Sequence, residues 1–116
     1  RRVVNKQRLI VADGPECVLE ISDNQEVDGD IISINYNGKW IIENYPLQKE
    51  AVKLPILLNT EGKNYLLLHA ENQGTIPPNT ILIRYKYEGR FKRVILNSTD
   101  KESEMIEIKP NIVKKG

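Results

Sequence analysis

This chain has one cysteine, one histidine, one methionine, one phenylalanine and one tryptophan. A single thiol excludes an internal disulfide, a cysteine-rich zinc site and a CxxC redox pair. His69 has no second histidine to join it, so the usual transition-metal ligand sets are absent. Charge of one sign is missing too: Lys and Arg number 17 against 16 Asp and Glu, leaving +1. That balance gives no field to steer nucleic acid or an anionic membrane, and no nucleic-acid-binding motif accompanies it. No apolar run approaches the roughly 20 residues of a membrane-spanning helix, so direct membrane insertion is not expected. There is no GxSxG nucleophile elbow. No signal peptide is visible; the stretch opens at Arg1-Arg2, and an exported protein would carry its leader upstream.

What the chain does have is regular punctuation. Turn-forming residues recur every 8–12 positions, and the segments between them are β-branched and alternating. No window shows a helical i, i+3, i+4, i+7 stripe. At 116 residues this predicts one domain, residues 1–116, folded as an all-β antiparallel sandwich, Ig-like or jelly-roll-like, of about nine strands.

The expected strands run from Val3 to Val11, Glu16 to Ser22, Asp30 to Tyr36, Lys39 to Tyr45, Val52 to Leu58, Asn64 to Ala70, Thr80 to Tyr87, Arg90 to Leu96 and Glu104 to Lys109. Asn37-Gly38 is the strongest hairpin signal, because both turn residues need positive φ. Glu88-Gly89 predicts a second tight hairpin. Pro55 lacks an N–H, which assigns its strand to a sheet edge or a bulge. Asn64 to Ala70 is apolar on both faces and reads as a central strand.

The densest chemistry lies in the stretch Asp23 to Asp30, where Asp23, Glu26, Asp28 and Asp30 surround Gly29. Oxygen-rich loops suit calcium, which takes 6–8 oxygen ligands in irregular geometry. The helix–loop–helix calcium pattern fits poorly, since a strand follows and Asn35 stands where the bidentate acid belongs. Two readings stay open: a cation site, and a solvated turn whose acids punctuate two strands. His69 reads as a packed or half-exposed strand residue, and Cys17, in phase with Leu19 and Ile21, as a small buried hydrophobe. Trp40 and Tyr36 flank the Asn-Gly turn, where cross-strand aromatic pairing is expected.

The segments DNQEVDGDIISINYNGKW, GKNYLLLHAENQGTIPPNT and VILNSTDKESEMIEI together resemble a β-sandwich module of Bacteroidetes secreted and cell-envelope proteins. That family has an Asp-Gly-Asp loop leading to Asn-Gly-x-Trp, then an Ala-Glu-Asn loop followed by Pro-Pro-Asn-Thr. The resemblance spans about Val18 to Ile108. It implies an exported, non-catalytic module, secreted, periplasmic or on the cell surface, attached to larger envelope proteins, and it names no ligand. The matched residues Glu71, Asn72, Pro77, Pro78 and Asn79 either brace a loop or form a recognition surface.

The expected function is therefore a non-catalytic binding module for a glycan or an envelope protein, with a calcium-stabilised loop as an option. The alternatives are a small hydrolase using Asp28 and Asp30, or Glu71 with His69, and a purely structural spacer. No other cofactor is expected.

Overall fold

Among the described residues, nine strands form two facing sheets, and their boundaries follow the turn signals closely. The computed structural model describes residues 3–24, 27, 29–72, 79–99 and 101–112. The strands are β1 (Val3–Gly14), β2 (Glu16–Asp23), β3 (Ile31–Tyr36), β4 (Lys39–Pro46), β5 (Val52–Leu57), β6 (Tyr65–Ala70), β7 (Asn79–Tyr87), β8 (Arg90–Ser98) and β9 (Glu102–Ile112). One sheet has the order β1-β9-β6-β3-β4 and the other β5-β2-β7-β8. Among the described residues, no helix is long and apolar enough to cross a membrane.

Local chemistry explains most of these elements. Asn37 and Gly38 have φ of 50° and 88°, and Glu88 and Gly89 have 51° and 74°, so both two-residue turns carry the twist that closes a hairpin. The Asn35 side chain accepts the Gly38 N–H at 2.9 Å, and Asn37 accepts that of Tyr65 at 2.7 Å, docking the first turn on β6. β6 is central, between β9 and β3, as its two apolar faces predict. β5 is an edge, and its Pro55 sits opposite Val18. In β4, Asn44 takes a φ of 49° and gives its N–H to the Ser33 hydroxyl at 3.0 Å, where the β3–β4 register shifts.

Alternation then builds the core. Leu19 and Ile21 of β2, Ile81 and Ile83 of β7 and Leu96 of β8 face Ile32 and Ile34 of β3, Leu66 and Leu68 of β6 and Ile106 of β9 across the sandwich, all fully buried. Each such side chain contributes about 1.5–3 kcal/mol by leaving water. Cys17 belongs to this core; burial pushes its thiol pKa up, with the Asp13 charge adding to the effect.

One pairing departs from the expected antiparallel pattern. β1 runs parallel to β9, from Val3 opposite Glu102 to Gly14 opposite Ile112, with a bulge between Asn5 and Arg8. β1 is also longer than expected, because β9 continues beside it to the turn at Pro15. Arg8 fastens this edge, binding Glu104 at 2.8 Å and the Ile95 carbonyl of β8.

Candidate functional site

At one end of the sandwich a set of polar side chains is buried rather than solvated. Asp23 is 7% exposed, Asp30 3% and Asn79 0%, and Ser22, Thr80 and Ser98 lie inside with them. A loop of hydrogen bonds gathers them. Asp23, at the end of β2, pairs with Ile81 of β7 and so lies beside Thr80 and Asn79. Its N–H donates to the Gln48 carbonyl at 2.9 Å, while the neighbouring Leu47 N–H donates to the Asp30 carbonyl at 2.9 Å. Leu47, 1% exposed, anchors that crossing segment in the core.

Asn72 closes the loop. Its side chain accepts the Ile31 N–H at 2.7 Å and donates to the Gly29 carbonyl at 3.1 Å, bracketing Asp30 from both sides. Asn79 in turn donates to the Asn72 carbonyl at 2.5 Å. Gly29 has a φ of 88°, with open space around it, so the backbone conformation rather than crowding calls for glycine.

This arrangement bears on the cation reading. Burying a carboxylate is costly unless hydrogen bonds, opposite charge or a metal compensate it. The Asn79 amide oxygen and the Thr80 hydroxyl are buried and have no hydrogen-bond partner among the described residues. Asp23 and Asn79 share the inward face of the paired β2 and β7 strands, whereas Thr80 points to the other face of β7. Carboxylate and amide oxygens are the donor type that a hard cation such as calcium takes. Among the described residues, no three histidine, cysteine, aspartate or glutamate side chains converge. Glu26 and Asp28 lie outside the described residues, as do Pro77 and Pro78.

Glu71 links this end to the outer face of the first sheet. Its N–H donates to the Ile31 carbonyl at 2.8 Å, and its carboxylate accepts the Ser33 hydroxyl. The other carboxylate oxygen stands 3.6 Å from His69 Nε2. Trp40 meets the His69 ring edge to face, with centroids 5.8 Å apart. The expected Trp40–Tyr36 pairing is therefore corrected. In the β3–β4 register Trp40 sits opposite Asn35, while the Tyr36 hydroxyl turns to the Leu57 carbonyl at 2.7 Å and Asn64 at 3.0 Å.

The hydrolase alternative meets a geometric obstacle at Glu71. Ser33 gives its proton to Glu71 rather than to His69, and it is 2% exposed. The acid stands between hydroxyl and imidazole, which disfavours Ser33 as a nucleophile activated by His69. The Asp28–Asp30 form of the alternative involves Asp28, outside the described residues. Sequence reasoning singled out Asp23, Asp30, Glu71, Asn72 and Asn79, with loop bracing as one option for Asn72, which its bonds to Ile31 and Gly29 bear out. It missed Ser33, which carries no local signal, since alternation assigns it to an outward face.

Comparison with protein-family models, curated proteins and solved structures yields no match.

Proposed function

We propose that this chain is a non-catalytic binding module whose Asp23–Asp30 end takes a calcium-type cation. The ion holds the start of β3 against Glu71 and Asn72, so that these two residues present a fixed surface to a glycan or an envelope protein. Asp23, Asp30 and Asn79 are the residues that would hold it, together with Glu26 and Asp28. The resemblance to Bacteroidetes envelope modules supports reading the module as exported and attached to a larger protein. The observation that supports the cation is the Asn79 amide oxygen, buried with no hydrogen-bond partner among the described residues, at the end of the sandwich where Asp23 and Asp30 are also buried.

The test is thermal unfolding with calcium added and with calcium chelated, on the wild type, Asp30→Asn and Asn79→Ala. A ligand at 100 times its Kd stabilises the native state by about 2.7 kcal/mol. The wild type should show a calcium-dependent rise in melting temperature, and both variants should lose it. A wild type indifferent to calcium removes the ion and favours the spacer reading.

A further inference from the structure

The second sheet is parted between its two middle strands. β2 pairs with β7 only from Glu20 opposite Arg84 to Asp23 opposite Ile81. Yet β2 continues to Glu16 along β5, and β7 continues to Tyr87 along β8. The gap between them opens a cleft of about 430 Å³ walled by Val18 and Phe91, with Cys17 at its floor. Asp13 explains the parting. Its carboxylate accepts the Glu88 and Gly89 N–H groups at 2.9 and 2.8 Å, tying the β7–β8 turn to β1 in the opposite sheet. The turn is thereby drawn off β2.

The parting exposes backbone as well as side chains. In an antiparallel ladder the N–H and C=O of alternate residues point to opposite neighbours. Pro55 has no N–H to exchange with Val18, so Val18 directs its own N–H and C=O away from β5, into the cleft. On the other side, Tyr87 and Arg90 close a two-residue turn and so form a hydrogen-bonded pair. Even-numbered residues of β7 therefore face β2, and Lys86 directs its N–H and C=O into the same space. Charge adds selectivity. Glu20 is engaged by Arg84 at 3.4 Å and Asp13 by the turn, which leaves Glu16 as the third acid of the lining. Among the described residues neither Lys53 nor Lys86 forms an ion pair, although the Lys86 charge acts on Asp13. The Lys86 ammonium lies 5.3 Å from the Phe91 ring centre.

We infer that this cleft binds a short extended peptide segment bearing an acidic side chain. The segment pairs as an inserted strand with the backbone of Val18 and Lys86, and its carboxylate lies between Lys53 and Lys86. The site is at the opposite end of β2 from Asp23, so its occupancy does not depend on the cation.

The test is a titration of ¹⁵N-labelled protein followed by amide chemical shifts. The probe is acetylated and amidated Ile-Glu-Ile-Glu, with Ile-Lys-Ile-Lys and hexanoate as comparisons. Saturable shifts at the Val18 and Lys86 amides are expected, with affinity lower by about tenfold for the lysine peptide and for the Lys53→Glu/Lys86→Glu double variant. Val18→Pro removes an N–H that the β2–β5 ladder does not use, and should abolish binding while shifts remote from the cleft persist. No saturable shift up to millimolar peptide overturns the inference. So does an equal response to both peptides, or hexanoate reproducing the peptide's shifts.

Discussion

Replacing Asn64 with alanine should unfold more of this protein than any other single polar change. The side chain is 0% exposed and makes five hydrogen bonds. Its oxygen accepts the Asn59 N–H at 2.8 Å, the Tyr36 hydroxyl at 3.0 Å and the Asn37 amide at 3.2 Å. Its nitrogen donates to the carbonyls of Asn59 and Ile108, each at 3.1 Å. Through them it ties the β3–β4 turn, the β5–β6 connection and β9 to one point. After truncation, the Asn37 amide reaches water and Tyr36 keeps its bond to Leu57. The Ile108 carbonyl is left stranded inside, and the Asn59 N–H and carbonyl lose two part-buried bonds on an exposed residue. A stranded buried group costs about 1–3 kcal/mol, so the loss should be about 3–4 kcal/mol. Set against a stability of about 6–17 kcal/mol for a chain of this length, that is a large share. At about 4 °C per kcal/mol the melting temperature should fall by about 12–16 °C. Calorimetry and urea titration read both quantities. Asn64→Asp keeps the shape but sets a negative charge against two carbonyls, and it should be at least as damaging. A loss below about 1 kcal/mol for Asn64→Ala would refute the reasoning.

Asp13 should make stability depend on acid. The Gly89 N–H, then those of Glu88 and the Asn111 amide, with the Lys86 charge, hold its carboxyl below the ordinary value of 3.8, against an opposing effect of burial. A depressed folded-state pKa gives stability that is present above the ordinary value and lost as pH falls through the folded one. Asp13→Asn should therefore be less stable than the wild type at pH 7, and the gap in urea midpoints should close below about pH 3.8. Glu88 holds a φ of 51° in its turn, a conformation asparagine adopts with less strain. Glu88→Asn should raise stability by about 0.5–1 kcal/mol in the same assay. Leu96 is fully buried while Leu57 is 65% exposed, so leucine-to-alanine changes at the two should separate sharply. The first should cost about 2–5 kcal/mol and the second less than about 0.5 kcal/mol.

The sequence by itself determined whatever depends on neighbouring residues. Positive φ at Asn37-Gly38 and Glu88-Gly89 made two hairpins legible, because few residue pairs adopt that turn. Period-two alternation from Cys17 to Ile21 and from Ile81 to Tyr85 told which side chains enter the core. The missing N–H of Pro55 told which strand lies at an edge. Asp23 and Asp30 were visible as candidates for a local reason, as acids around a glycine turn, whereas Glu71, Asn72 and Asn79 stood out only through the family resemblance. Only the tertiary structure decided what those residues meet. The parallel pairing of β1 with β9 joins opposite ends of the chain, and no local periodicity encodes a partner that distant. Burial of Asp23 and Asp30 depends on Leu47, Asn72 and Asn79, which arrive from three other segments. The Asn64 hub, the His69–Glu71 contact and the parted β2–β7 ladder arise in the same way. Backbone conformation is set within a few residues, whereas burial and hydrogen-bond partnership are set by whichever strands the fold brings alongside.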